Sequence, residues 1–180
     1  MINISKMTRN TQEAFSSART IAINQGHPSV DPVHILLAIL EPPEGLGRKL
    51  LTRAGSDPDA IRHKLSIQLK DIPRVSGSGF NPDNICIGRG LEQILMKAGL
   101  ESERMKDEYI SIEHVLLAMV RGDLSTGEGK LLNKSGLNRD SLLKSMAEIR
   151  GKQRVATQNP EATYDALSKY GRDLVEEARR

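Results

Sequence analysis

Two histidines are the side chains of this sequence best placed for chemistry, because His34 and His114 stand at equivalent points 80 residues apart. Neutral imidazoles can ligate a metal or move a proton. A zinc site needs further ligands at short spacing, and neither histidine has a second ligand at i+4 or a cysteine cluster beside it. Both are therefore expected to end a buried stripe and to hydrogen-bond the neighbouring turn. His27 and His63 read as isolated, so no Ser/His/Asp or Cys/His set can be assembled. Carboxylates are numerous enough for an acid–base pair. Yet Asp31, Asp57, Asp59 and Glu113 fall where helices start, and capping accounts for them. The run from Glu101 to Glu108 reads as a solvated face with i,i+3 and i,i+4 pairs. Ser76-Gly77-Ser78-Gly79 lacks the Gly-Lys-Ser/Thr that completes a phosphate-binding loop. No active site emerges, and a binding or regulatory module is the reading that remains.

The elements that carry these residues come in two copies. Val33-His34-Ile35-Leu36-Leu37-Ala38-Ile39 recurs as Glu113-His114-Val115-Leu116-Leu117-Ala118-Met119. Backwards in the same register, Ala18 falls on Ala98, Phe15 on Leu95 and Asp31 on Ser111. Forwards, after one inserted residue, Leu50-Leu51 pairs with Leu131-Leu132, Gly55 with Gly136 and Asp59 with Asp140. Such self-similarity marks a tandem duplication of a unit of about 65–70 residues. Repeat 1 spans about 8–72 and repeat 2 about 85–150.

Helical periodicity and end signals divide each repeat into four helices. The first should start at Thr8, carry Ala14, Phe15, Ala18, Ile21 and Ala22 on its apolar face, and stop near Gly26-His27-Pro28. Asp31-Pro32 opens the second, which holds the apolar heptamer and should be the buried helix of its unit. A short third helix carries Leu50 and Leu51. The fourth begins at Asp57 or Asp59, with Ile61, Leu65 and Leu69 on one face. Pro73 to Asn84 breaks both periodicities and reads as a loop. In the second unit Leu91, Ile94, Leu95 and Ala98 make the first face, Ser111 takes the capping place of Asp31, and Gly122 to Gly129 reads as loop. Asn138 caps the last helix. Lys152 to Gln158 should be a flexible connector. Asn159-Pro160-Glu161 then opens a further helix bearing Leu167, Tyr170, Leu174 and Ala178, which ends at Arg180 as if within something longer.

Composition narrows the class. With no Trp, two Phe and three Tyr, the core must be built from Leu, Ile, Val, Ala and Met, which suits helices better than strands. A net charge of +3 from 26 basic and 23 acidic residues is too balanced for a dedicated nucleic-acid binder. The single Cys86 excludes an internal disulfide and fits a reducing compartment. The first ten residues lack an apolar signal-peptide core, and no apolar run approaches membrane-spanning length. These features predict a cytoplasmic, all-α protein with no membrane and no nucleic-acid partner.

Asp31-Pro32-Val33-His34-Ile35-Leu36-Leu37-Ala38 and Ser111-Ile112-Glu113-His114-Val115-Leu116-Leu117-Ala118 closely resemble the Clp repeat, the amino-terminal domain of Clp-type AAA+ unfoldases. The tail, Arg154 to Leu167 with Lys169-Tyr170-Gly171-Arg172-Asp173-Leu174, looks like the ClpB-type junction into the first ATPase module. The resemblance covers essentially the whole chain and favours ClpB-type disaggregases over the protease-partner relatives. It implies a pseudo-twofold bundle of eight helices over 1–150, with 151–180 as linker and start of the ATPase module. It implies a domain that engages unfolded or aggregated polypeptide through an apolar groove with an acidic rim, for delivery to the pore of an ATP-driven hexamer working with the DnaK system. ATP and Mg would belong to the parent and no cofactor to this fragment, which would be monomeric and not itself an enzyme. The alternative is an adaptor-docking domain, as in the protease-linked relatives. By the same resemblance Thr8, Asp107 and Glu113 would contact substrate, beside apolar Leu95 and Ile110. Thr11 stands where relatives often carry Phe or Leu. Read singly, Thr8 and Glu113 are residues at helix starts and Asp107 an exposed turn residue.

Overall fold

The two apolar heptamers become two helices with no exposed face. The structure, a computed structural model, describes residues 2–121 and 126–164. Repeat 1 folds as α1 (Arg9–Asn24), α2 (Pro32–Leu40), α3 (Leu46–Arg53) and α4 (Pro58–Asp71). Repeat 2 folds as α5 (Arg89–Arg104), α6 (Ile112–Met119), α7 (Gly127–Lys134) and α8 (Arg139–Arg150). Every residue of α2 and of α6 is buried, which is what a helix apolar on all sides requires. Leu36 and Leu116 are fully enclosed, each burial contributing about 2 kcal/mol.

The helix starts follow the sequence signals. Thr8 caps α1 by accepting the Thr11 N–H, Asp57 caps α4, and Asn138 caps α8. Asp31 and Ser111 occupy the cap positions of α2 and α6. The Gly122–Gly129 loop is shorter than expected: Thr126 accepts the Gly129 N–H and starts α7 at Gly127. Residues 122–125 lie outside the described residues. Beyond α8 the chain is irregular to residue 159, and 160–164 are helical. The expected face of Leu167, Tyr170, Leu174 and Ala178 lies outside the described residues.

The two repeats interlock into one core. Within each, the first helix packs on the second and the second on the fourth (α1 on α2 and α2 on α4; α5 on α6 and α6 on α8). The short third helices cross over: α3 lies against α6 and α8, and α7 against α2 and α4. Parallel backbone pairs, which the sequence does not announce, join the repeats. The two-residue strands β1 (Ser29–Val30) and β2 (Cys86–Ile87) pair in parallel, and Met7 forms a parallel bridge with Ile110. Under the 80-residue offset Met7 matches Ile87 and Val30 matches Ile110, so the two junctions are copies related by the pseudo-twofold axis.

Candidate functional site

The first helix of each repeat ends in the same left-handed turn. Gly26 has φ 68° and Lys106, its equivalent, φ 58°. The His27 N–H then donates to the Ala22 carbonyl at 2.9 Å, and the Asp107 N–H to the Ser102 carbonyl at 2.8 Å, the six-to-one bond of a Schellman turn. This turn aims His27 at α2 and Asp107 at α6.

His34 and His114 sit three residues into their helices and face backwards. His34 Nδ1 accepts the Asp31 N–H at 2.8 Å, and His114 Nδ1 accepts the Ser111 N–H at 2.9 Å. Each imidazole thus takes the part usually played by Glu or Gln in a capping box. With Nδ1 accepting, the proton lies on Nε2. In repeat 2 it is directed at Asp107 Oδ2, 2.7 Å away. In repeat 1 it is directed at His27 Nδ1, 2.8 Å away, so His27 is not isolated as its sequence context suggested. Its Nε2 has no hydrogen-bond partner among the described residues. Burial first, then the neighbouring His27, pulls the His34 pKa down to about 4, against the Asp31 charge. Burial, with Arg74, also lowers that of His27.

Repeat 2 adds charges that repeat 1 lacks. Arg150, at the end of α8, donates to Asp107 Oδ2 at 2.9 Å and to Glu113 Oε1 at 3.0 Å. The Val155 N–H donates to Asp107 Oδ1 at 2.8 Å. Burial alone would push the Asp107 carboxyl up; the bonds from His114, Val155 and Arg150 outweigh it and hold the pKa below the usual carboxylate value. Burial likewise opposes the Arg150 charge, and Glu113 and Asp107 more than restore it. The equivalents in repeat 1 are His27, Val33 and Leu69. Nearby, fully buried Glu101 accepts from Arg139 at 2.7 Å and Arg121 at 3.2 Å through one oxygen, with Arg104 at 3.6 Å. The solvated face expected from Glu101 onwards thus turns inward at its first residue.

Apolar surface lies on the outer side of α5. Met96 is 66% exposed and Leu100 45% exposed, one turn apart and so on one face. A methyl group added at Gly99 would meet the Ile110 side chain at 3.7 Å, so Ile110, partly buried against the core, lies beside this part of α5. A separate concave region of about 210 Å³ runs between α1 and the α2–α3 turn, past Ala14, Ile39 and Leu46. Among the described residues no group of three or more His, Cys, Asp or Glu side chains is arranged to hold a metal ion. No described helix is long and apolar enough to cross a membrane.

Residues 6–135 match the protein family described as the Clp repeat N-terminal domain. The chain belongs to that family. Its relatives include the Chaperone protein ClpB of Bacillus cereus, 42% identical over 180 residues, covering 99% of this chain and 20% of that protein. ClpB of Nitratidesulfovibrio vulgaris is 40% identical over 179 residues, covering 99% of this chain and 21% of that protein. The chain therefore spans about a fifth of the length of these relatives. The Hsp104 N-terminal domain from Candida albicans superposes with a TM-score of 0.69 at 22% identity, over 87% of this chain and 99% of that one. A ClpV N-domain solved in complex with a VipB peptide gives 0.64 at 22% identity, over 80% and 86%. At these identities the likeness shows the fold. The sequence contains no Gly-x-x-x-x-Gly-Lys-Ser/Thr, and this Clp repeat domain carries no ATPase module.

Within the Clp repeat domain Thr8, Ile110, Asp107 and Glu113 lie around the same turn, and all but Ile110 are buried. Thr8 is fully buried and shares a 2.8 Å hydrogen bond with Thr11. Its N–H donates to the Ile110 carbonyl at 3.0 Å, which ties it to the turn that carries Asp107. Asp107, expected to be an exposed turn residue, is buried, as is Glu113. Their charges are met by Arg150, so they form an internal ion-pair cluster where an acidic rim was expected. Leu95 is buried, and Ile110 is half-buried. Sequence reasoning missed Arg150, Val155, Met96 and Leu100. A signal for the last two was present: α5 carries more apolar residues than one buried stripe needs.

Proposed function

We propose that this Clp repeat domain captures apolar segments of unfolded or aggregated polypeptide for a ClpB-type, ATP-driven hexameric disaggregase working with the DnaK system. ATP and Mg would act in the parent's ATPase modules. The observation that carries the reading is the exposed apolar pair Met96 and Leu100, with Ile110 beside it, on a domain whose relatives are ClpB chaperones. Exposed apolar surface is costly in a monomer and marks a binding site when it is contiguous. Leu95, Thr8, Asp107 and Glu113 support this strip from beneath: the first packs the inner side of α5, and the others fix the turn from which Ile110 projects. Single-site capture would be weak, and six copies would supply avidity. NMR titration of the chain with a permanently unfolded polypeptide tests the reading. Shifts should cluster at Met96, Leu100 and Ile110; shifts spread evenly over the surface would discard it.

Docking of a folded adaptor is favoured by a different feature, the concave region between α1 and the α2–α3 turn. A ClpV N-domain has been solved with a bound VipB peptide, which gives a fold-level precedent for peptide docking. An adaptor would bind with defined stoichiometry and would not be displaced by unfolded clients.

A further inference from the structure

The residues after α8 turn back onto repeat 2. Gly151, with φ 60°, reverses the chain. The Val155 carbonyl then accepts the Glu108 N–H at 2.9 Å, and the Val155 N–H donates to Asp107 Oδ1 at 2.8 Å. Three residues on, the Gln158 carbonyl accepts the Arg9 N–H at 2.7 Å, while its side-chain amide donates to the Ser5 carbonyl at 3.2 Å. The Val155 side chain is completely buried. The segment expected to be a flexible connector is therefore docked beside the Met7–Ile110 bridge, held by main-chain bonds from both ends of that junction.

What holds the segment is a set of groups indifferent to covalent continuity. They are a main-chain donor at Glu108, a carboxylate acceptor at Asp107 and an enclosed place for one small apolar side chain. Peptide segments dock on folded domains by this combination, in which main-chain bonds give affinity and a side-chain pocket gives selectivity. The pseudo-equivalent junction in repeat 1 cannot do the same. There Pro28 replaces Glu108 and has no N–H, and His27 replaces Asp107 with its Nδ1 already engaged by His34. The cleft is a property of repeat 2 alone.

We propose that this cleft is a docking site for a short peptide segment turned tightly at its inserted residue, as the Ala156 N–H to Arg154 carbonyl bond of 3.0 Å turns the connector at Val155, and that residues 153–158 fill it as an intramolecular pseudo-ligand. The segment it takes has a small β-branched residue with a free N–H, hence not Pro, at the inserted position. Its main chain accepts from Glu108 at that residue and from Arg9 three residues later. The tethered copy competes at high effective concentration, so an external segment binds only in the fraction of molecules whose connector has lifted. The proposal rests on reading the domain as one that binds polypeptide, and it places a second, self-blocked site next to the apolar strip of α5.

The test uses the 180-residue chain and a fluorescent synthetic peptide with the sequence of residues 152–160. Val155→Asp displaces the connector while leaving Glu108, Asp107 and Arg9 intact. This variant should bind the peptide at least about tenfold more tightly than the unaltered chain, and a peptide with Asp at the Val155 position should bind neither. Should Val155→Asp lower the helix content, Val155→Gly takes its place under the same criterion. Equal or absent peptide binding in a folded variant whose Glu108 amide exchanges faster overturns the proposal. Peptide binding with no binding of unfolded clients would instead overturn the functional reading and leave the cleft standing.

Discussion

His27 Nδ1 lies 2.8 Å from His34 Nε2, at the point where repeat 2 places Asp107 Oδ2 2.7 Å from His114 Nε2. One scaffold position thus holds an imidazole in one copy and a carboxylate in the other, each accepting the same Nε2–H. At the repeat 1 position acid is resisted, since a proton on His27 Nδ1 would set two donors against each other.

The stability of repeat 1 should accordingly fall as the pH is lowered. The folded pKa of His34 is about 4 and that of His27 is also lowered, while both take the ordinary value of about 6.5 in the unfolded chain. Between these limits the unfolded state binds more protons, so stability rises with pH and is lost progressively from about pH 6.5 towards pH 4. Asp31 and Arg74 are the charges that also act on the pair, and they oppose one another. Asp107, with its lowered pKa, acts at still lower pH. The Tm should drop by at least about 5 °C between pH 7.5 and 5.0. His27→Asp gives repeat 1 the pairing of repeat 2 and should shrink or reverse that drop. An unaltered pH profile in the variant would remove the dyad as its cause.

Arg150→Met should destabilise the domain by about 3–5 kcal/mol, because it leaves Asp107 and Glu113 buried without their cation. Repeat 1 shows the apolar solution at the same place, with Val33 and Leu69. Glu113→Val combined with Arg150→Leu should therefore recover most of the loss, Asp107 keeping its bonds from His114 and Val155. Denaturant unfolding of the two variants checks both halves. A double variant as unstable as Arg150→Met would mean that the ion pair is more than a local charge balance.

Met96→Ser with Leu100→Ser should weaken capture of an unfolded polypeptide by at least about fivefold, consistent with apolar contacts of about 0.5–1 kcal/mol each. Both side chains are largely exposed, so Tm should shift by no more than about 2 °C. Fluorescence anisotropy with a labelled, permanently unfolded client reads the first and thermal unfolding the second. Undiminished binding would move the capture site to the concave region beside Ala14 and Leu46.

The duplicated core and its caps were open to reading from the chain because their causes are local. Asp31-Pro32, Asn138 and the apolar heptamers each carry their structural instruction within a few residues. The inward turn of Asp107 was not legible: its partners Arg150 and Val155 stand 43 and 48 residues away, and no periodicity links them. The parallel junctions escaped for a different reason, since two-residue pairs such as Ser29–Val30 with Cys86–Ile87 leave no alternation to detect. Within the candidate site, the resemblance named Thr8, Asp107 and Glu113, but their burial is decided by a cation and a connector that the resemblance did not name.

The two left-handed turns offer a separate test of how the Asp107 site is held. Gly26 and Lys106 share this conformation, but only glycine adopts it without a Cβ clash, which costs other residues about 1–2 kcal/mol. Replacing Lys106 with Gly removes that clash and adds backbone freedom to the unfolded chain, a loss of about 0.4–1 kcal/mol. The net expectation is a gain of about 0.5–1 kcal/mol, or roughly 2–4 °C in Tm. Gly26→Ala should move stability in the opposite direction by a similar or larger amount. Since Lys106 precedes Asp107 directly, a stabilised Lys106→Gly chain should also keep the 155–108 backbone bond, visible as unchanged exchange protection of the Glu108 amide. A lower Tm would show that the lysine side chain compensates its strained backbone, and that the turn in repeat 2 is held by more than its dihedral angles.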